Sequence, residues 1–227
     1  MPLRDVQISP STKDRTLAKR LMDSWEHVEN ILRCFLPKSL SLDDCTKLVV
    51  NLRLDEEQTA EREYWQALRV GMLTVRGFDA GAYLLMSPDE QFQATLTVLD
   101  SAFDRLAELR GFDTATAHWA VRQVAATGGE YSWSSRKLSR SHRATRAKAA
   151  IVVSFRPGGT DLDAVLYSRL GTELERQRLV TAEYWPSVWF DYFVSAWEEA
   201  DFVLKSRTGQ ETRRISWANL NTAAVEH

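Results

Sequence analysis

The stretch from Pro186 to Lys205, PSVWFDYFVSAWEEADFVLK, decides how helical this chain is. Pro186 suits the first position of a helix, where its missing N–H costs nothing. At about 100° per residue, Phe190, Phe193, Trp197, Ala200 and Leu204 fall in one apolar stripe. Asp191, Glu198 and Glu199 lie mostly opposite that stripe, and Asp201 lies on its flank. The pattern predicts a long terminal helix with its apolar side in the core. Phe202 then sits among acids, and Tyr192 to one side. Large aromatics on an acidic face call for a cover, either from a neighbouring element or from a basic partner. The partner-binding candidates are therefore Asp191, Tyr192, Glu198, Glu199, Asp201 and Phe202.

Just upstream the charge inverts. Tyr131 to Thr160 holds no acidic residue but contains Arg136, Lys137, Arg140, Arg143, Arg146, Lys148 and Arg156. On a helix, Arg136, Arg140 and Arg143 would share one face, suited to tracking phosphates. Tyr131 and Trp133 are candidates to stack on bases. Tyr131, Trp133, Arg136, Lys137, Arg140, Arg143, Arg146 and Lys148 thus form an alternative, nucleic-acid-binding set. The bland reading is a solvated basic surface that pairs with the protein's own acids. The chain's net charge is only −2, so the split is local.

Further out, helical signals dominate. Leu17, Leu21, Trp25, Val28, Leu32 and Phe35 recur at helical steps over 11–36, and Pro37 ends that helix. Glu56 to Val75 reads as helix, with acids at its start where the helix dipole favours them. Ser87, Pro88 and Glu90 form a capping box with proline at the first position, opening a helix to Arg110 that Gly111 stops. Asp113 caps the next helix, to about Thr127. Asp161 to Leu170 reads as a short helix, and Thr172 with Glu175 as another capping box. Only Lys47–Leu54, which alternates Leu48, Val50, Leu52 and Leu54, and Ala149–Phe155 read as strands. With no clean linker, the expectation is an α+β fold: a predominantly helical single domain with a small sheet over residues 1–222. Residues 223–227, Ala-Ala-Val-Glu-His, read as a vector-derived tail.

Chemistry-bearing motifs are scarce. No pair of histidines has the i, i+4 spacing of a helical zinc site, and no paired CxxC occurs. Gly158-Gly159-Thr160-Asp161-Leu162-Asp163 has the Asp-x-Asp of a metal-binding nucleotidyltransferase site. The Gly-Ser that such a site wants about ten residues earlier is missing, so the segment reads as a turn and a helix cap. No GxSxG, Walker A or GxGxxG is present. No catalytic residue, cofactor or metal is expected. Cys34 and Cys45 are too few for a disulfide scaffold, and no apolar run approaches the ~18 residues of a membrane span. These readings point to a cytoplasmic protein.

The expectation that follows is a non-catalytic protein-binding protein. It would be an immunity- or antitoxin-type inhibitor of the bacterial kind, covering the phosphate-binding surface of a basic, nucleic-acid-degrading toxin with carboxylates. The alternative is a nucleic-acid-binding accessory protein that uses residues 136–148. An enzyme without a recognisable motif comes third.

Overall fold

The computed structural model describes residues 1–54, 63–182 and 194–220. It is 31% helical and 38% strand, with three sheets and four helices among the described residues. The fold is α+β and mostly sheet, so the expectation of a predominantly helical chain is overturned. The contacts divide the chain into two compact units, Met1–Glu130 and Tyr131–His227. Glu130 and Tyr131 adjoin, which is why no linker marks the division in the sequence.

The first unit holds all four helices. Strand β1 (Asp5–Ser11), helix α1 (Arg15–Phe35) and strand β2 (Lys47–Arg53) form a parallel β-α-β crossover. Strand β4 (Val70–Val75) lies parallel to β2 on its other side, and β3 (Tyr64–Ala67) folds back on β4 as the antiparallel edge. Two strands therefore stand where a helix to Val75 was expected, and residues 55–62 lie outside the described set. Val6, Ile8, Leu48, Val50, Leu52 and Leu73 are buried at alternate positions, as in a sheet covered on one face. Asp14 caps α1, accepting N–H bonds from Thr16 and Leu17 at 2.9 and 3.0 Å. The N–H of Ile8, on an edge strand, donates to the buried Glu29 of α1 at 2.5 Å. After α2 (Ala80–Leu85) come α3 (Pro88–Arg110) and α4 (Thr114–Ala126), both packed on α1. The capping box at Ser87 and Glu90 forms, and Gly111 closes α3 in the left-handed region at φ 65°. No helix of the described residues is long and apolar enough to cross a membrane. Cys34 and Cys45 are free thiols.

Among the described residues, the regular structure of the second unit is all strand. Strands β5 (Tyr131–Ser134) and β6 (Arg140–Ser141) both pair with β7 (Lys148–Arg156), forming one interrupted edge. Next come β8 (Gly159–Tyr167) and β9 (Glu173–Ala182), all antiparallel. Asp161–Leu170 and the Thr172–Glu175 capping box therefore resolve into strand, turn and strand rather than helix. The last described strands form an antiparallel meander of β10 (Val194–Glu198), β11 (Asp201–Lys205) and β12 (Glu211–Ser216). Strands β10 and β11 occupy the second half of the expected terminal helix, and 183–193 lie outside the described residues. Ala149, Ile151, Leu162, Ala164 and Leu166 of the β5–β9 sheet pack against Phe202, Leu204 and Ile215 of the meander and Trp217 just after it. Facing sheets of this kind bury the alternate residues of each strand.

Candidate functional site

The interrupted edge β5–β6 builds a row of cations. The backbone N–H of Ser135 donates to Ile151 O at 2.8 Å, and the Ser139 hydroxyl donates to Ser135 O at 2.7 Å. Leu138 is driven into the core at 1% exposure. That anchoring leaves Arg136 and Lys137 outside, on the turn. Arg140 follows on β6, with its guanidinium bonded to Ser139 O at 2.7 Å.

The β6–β7 turn is tied as firmly. His142 N–H donates to Ala147 O at 2.7 Å, and Arg146 N–H to His142 O at 3.0 Å. Arg146 takes φ 62°, the left-handed region. His142 Nε2 lies 3.1 Å from Glu199 O, which can only accept, so Nε2 carries the hydrogen. Nδ1 then accepts from the Thr145 hydroxyl at 2.9 Å and from its N–H at 3.3 Å. The imidazole also packs 4.9 Å from the Trp197 ring, whose indole N–H donates to Arg140 O at 3.0 Å. The turn presents Arg143 and Arg146, and Lys148 begins β7.

Arg136, Lys137, Arg140, Arg143, Arg146 and Lys148 are all exposed. Among the described residues, no carboxylate pairs with Arg136, Arg140, Arg143, Arg146 or Lys148. The cations expected on one helix face are instead spread along two tight turns and a strand edge. Tyr131 and Trp133 pair with Phe155 and Val153, so they lie on the core face of β5 and are half-buried. They are not an exposed stacking platform.

Most of the described acids of this unit are engaged by its own cations. Glu198 pairs with Lys205 and Arg214, each at 2.7 Å. Asp201 meets Arg214 at 3.3 Å and accepts the Ser216 hydroxyl at 2.7 Å. Bonds from Lys205 and Arg214 hold the Glu198 carboxyl below its ordinary range, and those from Ser216 and Arg214 do so for Asp201. On the first sheet, Asp161 and Asp163 expose only 8% and 4% of their side chains. Arg156 reaches Asp161 at 3.0 Å, Arg176 reaches Asp163 at 2.8 Å, and Arg178 bridges both. The Asp-x-Asp is thus neither a helix cap nor an open metal site, since its carboxylates already face three guanidinium groups. Among the described residues no cluster of His, Cys, Asp and Glu could hold a metal ion.

The partner-binding set fares differently from residue to residue. Phe202 is fully buried, against the expectation of an exposed contact; it is the cross-strand partner of Trp197, at 5.5 Å between rings. Glu198 and Asp201 flank the tip of a hairpin rather than line a helix face. Glu199 sits in the tip itself at φ 56°, exposed. Asp191 and Tyr192 lie outside the described residues. Sequence reasoning missed His142, which fixes the basic turn, and the Arg176-x-Arg178 alternation opposite Asp161-x-Asp163. That period of two on adjacent strands was the available signal.

Counted over the sequence, residues 1–130 carry 15 Lys and Arg against 20 Asp and Glu, while 131–227 carry 14 against 11. The near-neutral chain is an acidic unit followed by a basic one. It matches no protein-family model, no curated protein and no solved structure.

Proposed function

We propose that the protein is a nucleic-acid-binding accessory protein whose second unit grips the phosphate backbone through Arg136, Lys137, Arg140, Arg143, Arg146 and Lys148. One observation carries this reading: these cations stand exposed on anchored turns and at the start of β7, while Glu198 and Asp201 of the β10–β11 hairpin are held by Lys205 and Arg214, leaving Glu199 as an exposed acid at its tip. Because the turns that carry these cations are already held by backbone hydrogen bonds, binding a phosphate need not order the chain beneath them. With Tyr131 and Trp133 on the core face, the contact is to phosphates rather than to bases, hence independent of sequence.

An immunity- or antitoxin-type inhibitor would need free carboxylates to meet a basic toxin. Glu198 and Asp201 are engaged, and Phe202 cannot anchor a partner while buried. That reading therefore ranks second, and it becomes the answer if the first test fails and a basic protein is bound instead.

The test is fluorescence anisotropy with a mixed-sequence duplex. Wild type is expected to bind in the range of about 10⁻⁴–10⁻⁶ M at physiological salt, tightening as salt falls. Changing Arg143 and Arg146 together to Glu should weaken binding by tenfold or more. The melting temperature should hardly move, because substitutions on an exposed surface usually stay within about 0.5 kcal/mol. Equal affinity for wild type and the reversed-charge variant would remove the basic edge from the account.

A further inference from the structure

A second, unrelated feature lies in the first unit, where β1 begins and α1 ends. A cleft of about 310 Å³ opens there, lined by Pro2, Leu3, Arg4, Arg33, Leu36 and Lys38. Its size is at the small end of ligand clefts, which span roughly 300–1,000 Å³. The walls are tied down. Leu3 N–H donates to Leu40 O at 2.8 Å, Arg4 N–H to Thr46 O at 2.9 Å, and Leu36 N–H to Leu32 O at 3.0 Å. Leu3 is 1% exposed and forms an apolar floor, with Pro2 and Leu36 beside it.

The lining contains three cations and no acid, in a unit whose acids outnumber its bases. Arg33 is aimed by its neighbours: Nε and one terminal nitrogen donate to Asp5 at 2.9 and 2.6 Å, and the other donates to Asn30 at 2.6 Å. Asp5 is shared with Lys47 at 3.4 Å, so it does not neutralise both. Among the described residues, neither Arg4 nor Lys38 has a side-chain partner, and both are exposed. A simpler purpose for Arg33 and Lys38 is to complement the negative end of the α1 dipole. That purpose does not reach Arg4, which precedes β1 and stands with its charge uncompensated at the same cleft.

We propose that this cleft binds a small amphipathic anion, with its charged head against Arg4, Lys38 and the outer edge of Arg33 and its aliphatic part along Pro2, Leu3 and Leu36. A polar head alone would leave the apolar wall unused, and a neutral chain would leave the cations unpaired. The inference does not rest on the nucleic-acid reading, which concerns the other unit.

Calorimetric titration of the full chain with octanoate tests it, with inorganic phosphate and 1-octanol as head-only and tail-only probes. Octanoate is expected to bind with Kd below about 1 mM, a modest affinity for so small a ligand. Phosphate and octanol should each bind at least about tenfold more weakly. R4A/K38A should lose octanoate binding by about tenfold or more, with R4A and K38A singly in between. The ligand-free melting temperature of all three should stay that of wild type, because both side chains stand in solvent. Failure of octanoate to bind wild type, equal binding by R4A/K38A, or equal binding of octanol would each overturn the proposal.

Discussion

Replacing Phe202 by alanine is expected to cost the second unit about 3–5 kcal/mol, enough to unfold much of it at ambient temperature. The side chain is fully buried, packs at a tilt against Trp197 with 5.5 Å between rings, and belongs to the cluster joining the two sheets. Removing the ring leaves a cavity that neighbours on two different sheets cannot both move to fill. Changing Glu198 to alanine is the informative contrast. Its bonds to Lys205 and Arg214 lie at the surface, where ion pairs contribute little, so stability should barely change. Urea denaturation of the two variants separates the possibilities. Were Phe202→Ala as harmless as Glu198→Ala, the ring would be an exposed contact residue, as a terminal helix would have made it.

The second large effect is a pH dependence set by Glu29. This residue of α1 is 7% exposed, and burial pushes its carboxyl up from 4.5 to about 8. The Ile8 N–H and Arg33 oppose the rise, while Asp5 and Glu26 add to it. An acid whose folded value is raised binds its proton more tightly in the native state. Its contribution to stability is therefore complete below pH 4.5, and it is lost progressively as pH rises through about 8. Each pH unit between those values is about 1.4 kcal/mol, so the whole window amounts to about 5 kcal/mol. Glu29→Gln keeps an oxygen for the Ile8 N–H but cannot ionise. The difference between wild type and Glu29→Gln, measured by denaturant titration from pH 5 to 9, should grow in favour of the glutamine variant up to about pH 8 and then level off. Taking the difference removes other titrations. His118, raised by its bonds to Asp100 and Asp104, and His27, lowered by burial to about 4, contribute equally to both curves. A difference that stays level across this window would mean that Glu29 is ionised in the folded protein.

The parts of the fold that the sequence made legible are those with local chemical signatures. Ser87, Pro88, Glu90 and Gly111 delimit α3 within a residue, Asp113 caps α4, and the alternation of Leu48, Val50 and Leu52 marks β2. Two of the hairpins that escaped, β3–β4 and β10–β11, are joined by turns without the usual residues. Hairpin turns that need positive φ normally carry Gly or Asn. Here Leu68 and Arg69 turn β3 into β4 at φ 50° and 67°, and Glu199 turns β10 into β11 at φ 56°. Left-handed backbone at such residues costs about 1–3 kcal/mol each, and it persists only because the flanking pairing over-determines it. Nothing in the local sequence announces it.

Between unmarked turns, the spacing of Trp197, Ala200 and Leu204 matched a helix by coincidence. Their real relation is across a hairpin, Trp197 to Phe202 and Ala196 to Val203. The basic residues were legible as a set, because absence of acids over 30 positions is visible without any fold. Their arrangement was not. The interactions that place them, His142 on Glu199 O and Trp197 on Arg140 O, join positions 57 residues apart.

The salt dependence of nucleic-acid binding tests the central claim most directly. A protein that neutralises Z phosphates of duplex DNA shows log K falling against log[salt] with slope about −0.9Z. With six cations on the edge, and one or two of them turned away from any single backbone, the expected slope is about −3 to −5. A slope shallower than about −1, or no binding at low salt, would contradict the assignment of this edge to nucleic acid.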